Sequence, residues 1–168
     1  MKLSAAISSL LAIVAVSASD YSIPVTNDVG LVYTNMLCGT TPCSQTNLYG
    51  QPTYTAFLGN RDYRRILMSF PLGNVDPSSV SSCTLQLPVA ADGVVLSAST
   101  VSAYDAKTVT PATAPMSGNV VGQASGVGEL DITSACQNAV DGMVSVVVDA
   151  RGGPVTIPAG ASTLRVSA

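Results

Sequence analysis

Apolar and polar residues alternate over several short segments of the chain, and turn-forming residues separate these segments. In RRILMSFPL, the alternation places Ile66, Met68, Phe70 and Leu72 on one face of a strand. The same alternation occurs in SCTLQLPV, MVSVVVDA and STLRVSA, and the intervening sequences GNVDPSS, AADG and ARGGP favour turns. Strand signals that recur about every ten residues are typical of an all-β sandwich or barrel.

One short helix is predicted in DITSACQNAVDG. Thr133 is expected to cap its N-terminus, and Gly142 is expected to end it in the left-handed conformation. Apolar positions spaced four residues apart then share one face, which includes Cys136. This places Cys136 toward the core, where the inward-facing Cys83 of SCTLQLPV can meet it.

The first eighteen residues, MKLSAAISSLLAIVAVSA, have the features of a secretory signal peptide. A basic residue precedes an apolar run, and small residues lead up to a predicted cleavage site after Ala18. The apolar run is too short to span a bilayer. Residues 19–168, 150 in number (168 minus 18), are expected to form a single domain. The protein is therefore predicted to be secreted and either extracellular or associated with a cell wall.

The four cysteines, Cys38, Cys43, Cys83 and Cys136, all follow the predicted cleavage site. An even number of cysteines in an oxidising compartment indicates two disulfides, for which three connectivities exist. Pairing of Cys38 with Cys43 across CGTTPC, and of Cys83 with Cys136, is favoured. A zinc site is the alternative, but the chain contains no histidine and no C-x-x-C motif.

The net charge of the chain limits the classes of partner that it is expected to bind. Loss of Lys2 with the leader leaves six basic residues (7 minus 1) against ten acidic ones, a net charge of −4 (6 minus 10). Mild acidity argues against a nucleic-acid or anionic-membrane partner. Charged residues make up 10% of the chain and hydrophobic residues 47%, a composition that favours a folded domain over disorder.

The segment TNLYGQPTYTAFLGNRDYRRILMSFPL resembles the opening of the DNRLRE-type domains, which are grouped with carbohydrate-binding module family 96. The N-x-x-G element of that family matches Asn47 and Gly50. Its arginine, aliphatic pair and phenylalanine match Arg65, residues 66–67 and Phe70. VSSCTLQLPV, GELDITSACQNAVDG and STLRVSA are similar to three later elements of the family, in the same order.

The resemblance implies a jelly-roll-like antiparallel β-sandwich that is secreted. Domains of this kind are often attached to polysaccharide-active enzymes or found in wall and matrix proteins, and some relatives bind acidic polysaccharides such as alginate. The expected function is a non-catalytic carbohydrate-binding or cell-wall-associated module, with an acidic polysaccharide as partner. A structural matrix protein that acts by self-association is the alternative.

Candidate ligand-binding residues lie in and before the arginine-rich segment: Arg61, Tyr63 and Arg64, together with Tyr54. Guanidinium groups bind the carboxylates of a uronic-acid polymer bidentately, and tyrosine rings can stack on sugar rings. For Arg65, the favoured role is an ion pair with a nearby aspartate that fixes the position of the strand. Contact with the ligand is the alternative role.

Catalysis is not expected. The absence of histidine excludes Ser-His and Cys-His nucleophile systems. Glu129 and Asp131 are spaced so that a strand holds them roughly 7 Å apart, as in an inverting glycosidase. Asp131 is better explained as part of the helix start, and no aromatic subsite surrounds the pair.

No cofactor is predicted, although a structural calcium ion could bind at GNRD, GNVD or AADG, where carboxylates adjoin turn residues. None of the three sequences has the density of carboxylates found in an EF-hand loop. Hydrogen bonding of Asx side chains within turns accounts for each of them without a metal.

Overall fold

The computed structural model describes residues 18–33, 37–38, 41–42, 46–59 and 62–168, with only the backbone of 37–38 and 41–42. The predicted signal peptide up to residue 17, the predicted Cys38–Cys43 disulfide and Arg61 lie outside the described residues.

Within these ranges the chain forms fourteen strands, a short α-helix and a 3₁₀ helix at Pro77–Ser79. In chain order the strands and the α-helix are β1 (Asp20–Pro24), β2 (Asn27–Tyr33), β3 (Leu37–Cys38), β4 (Thr41–Pro42), β5 (Thr46–Asn47), β6 (Thr53–Leu58), β7 (Tyr63–Pro71), β8 (Ser82–Gln86), β9 (Ala91–Thr100), β10 (Val120–Gly126), β11 (Glu129–Asp131), α1 (Thr133–Gln137), β12 (Met143–Arg151), β13 (Val155–Pro158) and β14 (Thr163–Ser167).

Two antiparallel sheets pack face to face as a sandwich. The smaller sheet has the order β1-β14-β8-β11. The larger sheet has the order β10-β9-β12-β7-β2-β5, with β6 paired to β7 and β13 paired to β6, whereas β3 and β4 pair with each other. The predicted all-β antiparallel sandwich with one short helix is confirmed.

The main core lies between the sheets and follows the alternation seen in the sequence. On β7, Ile66, Met68 and Phe70 are at most 1% exposed and point into this core. Leu85 of β8 and Leu164 of β14 meet them from the smaller sheet. Burial of each large apolar side chain contributes roughly 1.5–3 kcal/mol to folding.

A second apolar cluster covers part of the outer face of the larger sheet. Leu67 of β7 and Val147 of β12 are buried there with two residues of β2. Ala106 and Val109, in the segment 101–119 between β9 and β10, lie over them. The crossing segment therefore buries part of the outer sheet face, and β7 is covered on both sides at Leu67.

Hydrogen bonds from two asparagine side chains hold the crossing segment against the sheet. Asn47 donates hydrogen bonds from Nδ2 to the carbonyl oxygens of Ala106 and Val109. Asn27 Nδ2 donates to the Tyr104 carbonyl (3.2 Å), and the Tyr104 hydroxyl donates back to the Asn27 carbonyl (2.7 Å). The asparagine of the N-x-x-G element thus has a structural role in this chain.

The predicted Cys83–Cys136 disulfide is confirmed, and it joins β8 to α1 with both cysteines fully buried.

Both predicted limits of the helix are wrong. The helix runs from Thr133 to Gln137, and Ile132, instead of Thr133, occupies the N-cap position. Asp141 (φ 52°) and Gly142 (φ 69°) instead form the two-residue turn that joins Val140 to Met143. An Asp-Gly pair with positive φ at both positions favours a tight hairpin turn over a helix end.

The sequence AADG differs from its predicted role in a similar way. Its last three residues begin β9, and the register with β10 shifts between Ser125 and Gly126. Gly93 has a φ of 71° within this irregularity. The turn-forming residues here make a β-bulge instead of a loop.

Candidate functional site

The strongest candidate site is a group of side chains on the outer face of the larger sheet, beside the second apolar cluster. This tyrosine–arginine surface consists of Tyr33, Tyr63, Arg65, Asp149 and Arg151. Tyr33 pairs with Tyr63 across β2 and β7. Residues two apart on a strand share a face, which places Tyr63 with Arg65 and Asp149 with Arg151.

Arg65 and Asp149 form a bidentate ion pair at the centre of this surface. Arg65 donates from Nε to Oδ1 and from Nη2 to Oδ2 of Asp149, both at 2.7 Å. The two side chains are only 15% and 10% exposed. Burial alone would lower the pKa of Arg65, but the hydrogen bonds and charge of Asp149 outweigh it and raise that pKa. The expectation that Arg65 pairs with an aspartate is therefore confirmed.

The two tyrosine rings pack edge to face beside this ion pair. Their centroids are 5.0 Å apart at an interplanar angle of 61°, and the Arg65 guanidinium carbon lies 5.7 Å from the Tyr63 centroid. Both contacts are favourable for aromatic rings. Burial raises the pKa of each tyrosine, against the lowering effect of the Arg65 charge. Both hydroxyls are therefore protonated near neutral pH and can donate hydrogen bonds.

Arg151 adds an exposed positive charge to the surface. Its charge acts on the Tyr63 hydroxyl, and among the residues that the structure describes it forms no ion pair. The surface thus carries two cationic groups against the single carboxylate of Asp149. Polar residues continue from Asp149 across the next two strands of the sheet. Asp149 of β12 pairs with Ser97 of β9, and Ser97 pairs with Gln123 of β10.

The structure separates the predicted ligand-binding residues. Arg64 lies on the opposite face of β7 from Tyr63, and its Nε donates to Asp62 Oδ1 at 2.8 Å. Tyr54 is only 3% exposed, and a Cβ atom at Gly30 would lie 2.9 Å from its ring. Tyr54 is therefore a core residue rather than a ligand contact, and Tyr63 is the predicted residue that lies on the tyrosine–arginine surface.

Tyr33, Asp149 and Arg151 lie on this surface, although no motif in the sequence marks them as ligand-binding residues. Their spacing predicts part of the surface, because residues two apart on a strand share a face. Tyr63 precedes Arg65 by two residues, and Asp149 precedes Arg151 by two. The order β12-β7-β2 brings the three strands side by side. That order depends on pairing between strands far apart in sequence, which the residue pattern does not specify.

The carboxylates considered for catalysis lie on the smaller sheet and serve local structure. Glu129 accepts a hydrogen bond from Gln86 Nε2 at 3.2 Å. Asp131 Oδ1 accepts from the Thr133 amide (3.0 Å) and hydroxyl (2.6 Å), and these bonds lower the pKa of Asp131. A glycosidase acid needs a raised pKa, so the geometry favours the expected role of Asp131 at the helix start.

Replacing Thr133 with valine is expected to lower the free energy of unfolding by about 1–3 kcal/mol, because the buried Cys83 amide loses the Thr133 hydroxyl as its acceptor. Thr133→Ser keeps the hydroxyl and should cost less than half as much. Urea unfolding of both variants measures the difference, and equal losses would contradict the role given to the hydroxyl.

The same valine variant should also change the response to acid. The folded-state pKa of Asp131 lies below its ordinary value of 3.8, so its contribution to stability is complete above that value. The contribution is lost as the pH falls through the lowered pKa. Thr133→Val removes one of the bonds that lower the pKa, so it should lose less further stability than wild type between about pH 5 and pH 2. An identical pH dependence would contradict this.

No group of three His, Cys, Asp or Glu side chains converges within the described ranges 18–33, 46–59 and 62–168. In GNVD, Asp76 accepts hydrogen bonds from the Ser78 amide and hydroxyl at 2.9 and 2.8 Å, which caps the 3₁₀ helix.

The part of the chain that the structure describes contains no helix long and apolar enough to cross a membrane.

No protein-family model matches this chain. No curated protein sequence matches it either. The function proposed below therefore rests on the fold and on the tyrosine–arginine surface.

Proposed function

We propose that this chain is a secreted, non-catalytic carbohydrate-binding module, associated with the extracellular space or a cell wall, whose tyrosine–arginine surface binds an acidic polysaccharide. The observation that carries the proposal is the placement of the Tyr63 ring and the Arg65 guanidinium on one sheet face. A uronic-acid residue has an apolar ring face and a carboxylate, and these two groups match its two features.

The ion pair with Asp149 fixes the position of the Arg65 side chain before a ligand binds. Asp149 uses only Nε and one hydrogen of Nη2, so the remaining N–H groups of the guanidinium can donate to a sugar hydroxyl or carboxylate. The side chain is already ordered in the free protein, which reduces the entropy lost on binding.

The charge of the surface favours an acidic ligand over a neutral one. Asp149 balances Arg65, and Arg151 supplies an additional exposed positive charge. Arg61, two positions before Tyr63 in the sequence, is the further cation of this segment proposed to contact the ligand. Arg64 is paired with Asp62 on the opposite side and is left out of the proposed contacts.

The sequence features support the same class of function. The leader is typical of a secreted protein, and the motif order resembles domains of which some bind acidic polysaccharides. Glu129 and Asp131 have local hydrogen-bonding roles, which agrees with a module that binds without cleaving its ligand.

Affinity gel electrophoresis against neutral and acidic polysaccharides tests the proposal. We expect retardation by polyuronates only, and weaker retardation at high salt because exposed charges are screened. Tyr63→Ala and Arg151→Ala should each weaken binding by about tenfold, equivalent to about 1.4 kcal/mol. Arg165→Ala is the matched control, since Arg165 is an exposed arginine on the smaller sheet.

Retardation that Arg165→Ala and Arg151→Ala reduce equally would show nonspecific charge attraction and contradict the proposed site. Absence of retardation by every polysaccharide would contradict the function itself. If the protein then associated with itself in a concentration-dependent way, the structural matrix alternative would be favoured.

A further inference from the structure

A cleft separate from the tyrosine–arginine surface lies where the two ends of the crossing segment approach α1 and the turn that follows it. It consists of two adjoining cavities of about 740 and 330 Å³ and is called here the side cleft. The two cavities share the lining residues Thr100, Val101, Ser102, Ala135, Asn138 and Val140. The side cleft has no residue in common with the tyrosine–arginine surface.

Exposed aliphatic side chains are concentrated at the side cleft. Met116, Val120 and Val140 are 92%, 61% and 72% exposed, and all three line its larger cavity. They are half of the six large hydrophobic residues that are exposed in the described part of the chain. Exposed apolar side chains grouped around one cavity indicate a binding site rather than scattered surface residues.

The polar groups of the side cleft are almost all uncharged. Serine and threonine residues and Asn138 line it, and Asp141 is the only charged residue of its lining in the described part of the chain. Asn138 donates from Nδ2 to the Ser134 carbonyl at 2.8 Å, which leaves its Oδ1 to accept a hydrogen bond. Among the residues that the structure describes, no arginine, lysine or aromatic side chain lines either cavity.

We propose that the side cleft binds a small uncharged ligand with an aliphatic body and a hydroxyl group, of the class of medium-chain alcohols. The smaller cavity, of about 330 Å³, lies within the size range of small-molecule sites. Its aliphatic lining favours burial of an alkyl chain, and Asn138 Oδ1 can accept the hydrogen bond of a hydroxyl. Met116 has a flexible, polarisable side chain that can adapt its shape to the ligand.

The composition of the lining argues against anionic ligands and sugars. An anionic head group would find no cation and would be repelled by Asp141. A sugar ring would find no aromatic face on which to stack. An uncharged alkyl ligand leaves no charge without a partner, so it is the occupant that the lining fits.

Fluorescence titration with the uncharged probe N-phenyl-1-naphthylamine tests this proposal on the full secreted protein. We expect saturable binding that octan-1-ol displaces and octanoate does not. Val140→Asp should weaken probe binding at least about tenfold, because it places a charge in the apolar lining. Val127→Asp is the matched control: Val127 is 53% exposed, lies outside the side cleft, and should leave binding unchanged.

Met116→Asp provides a second variant at a 92% exposed position where loss of folding is not expected, and thermal unfolding checks each variant. Absence of saturable probe binding would overturn the proposal, and so would equal displacement by octanoate or binding that survives both cleft variants. A concentration-dependent dimer that Val140→Asp abolishes would also overturn it, because a second copy of the chain would then cover the side cleft.

Discussion

Asp149→Ala is expected to lower the free energy of unfolding by about 3–5 kcal/mol, because it leaves the Arg65 guanidinium, only 15% exposed, without its counterion. Urea unfolding followed by circular dichroism measures the loss. The double variant Arg65→Met/Asp149→Leu should recover a large part of it, since no unpaired charge then remains in the site. A loss below about 1 kcal/mol for Asp149→Ala would show that the pair behaves like an exposed one.

The ion pair between Arg64 and Asp62 supplies the matched control. Its side chains are 39% and 42% exposed, and its single bond is 2.8 Å long. Water screens this pair, so Asp62→Ala should cost no more than about 1 kcal/mol. The contrast between the two aspartates separates the effect of burial from that of losing any carboxylate beside an arginine.

Removal of the Cys83–Cys136 disulfide by a double alanine substitution is expected to cost about 4 kcal/mol. The bridge joins positions 53 residues apart and restricts the unfolded chain, and the loop-entropy relation gives this magnitude. For a domain of this size the loss corresponds to a fall of roughly 8–16 °C in Tm. Differential scanning calorimetry of the oxidised protein and the variant provides the measurement.

A change in Tm of less than about 3 °C for that variant would contradict the expected role of the bridge. A Val166→Ala variant controls for loss of side-chain volume, because Val166 lies opposite Cys83 on β14 and is 1% exposed. Deletion of these methyl groups should cost about 1–3 kcal/mol without changing the loop entropy of the unfolded state.

Much of the fold could be predicted because its signals are local. Alternation in β7, β8, β12 and β14 identified strands that the structure contains, and the facing cysteines predicted their disulfide. Local turn chemistry was less decisive, since Asp141 and Gly142 form a hairpin turn instead of ending the helix. The same residue types suit several backbone structures, and the strands around them decide which one forms.

The second apolar cluster could not be predicted because it depends on a long-range contact. Leu67 alternates with the core residues of β7 and would face solvent in a sandwich with one buried face. Residues 101–119 cross over that position and cover it, held there by Asn47. Nothing within the β7 sequence specifies this cover.

The candidate site was only partly predictable for the same reason. Adjacent residues on a strand point to opposite faces, so Arg64 and Tyr63 cannot both lie on one surface of β7. Tyr54 became a core residue because the small Gly30 lets its ring approach the neighbouring strand. Tyr33 and Arg151 lie at the site because their strands flank β7 in the sheet, and no sequence motif indicates this.

An NMR titration of the isotope-labelled protein with short oligogalacturonates tests directly whether the tyrosine–arginine surface binds an acidic polysaccharide. The proposed function predicts that backbone and arginine Nε–H signals shift at Tyr33, Tyr63, Arg65 and Arg151, and that Arg151→Ala weakens these shifts. Shifts confined to the smaller sheet, or no shifts at any ligand concentration, would contradict the claim that the tyrosine–arginine surface binds an acidic polysaccharide.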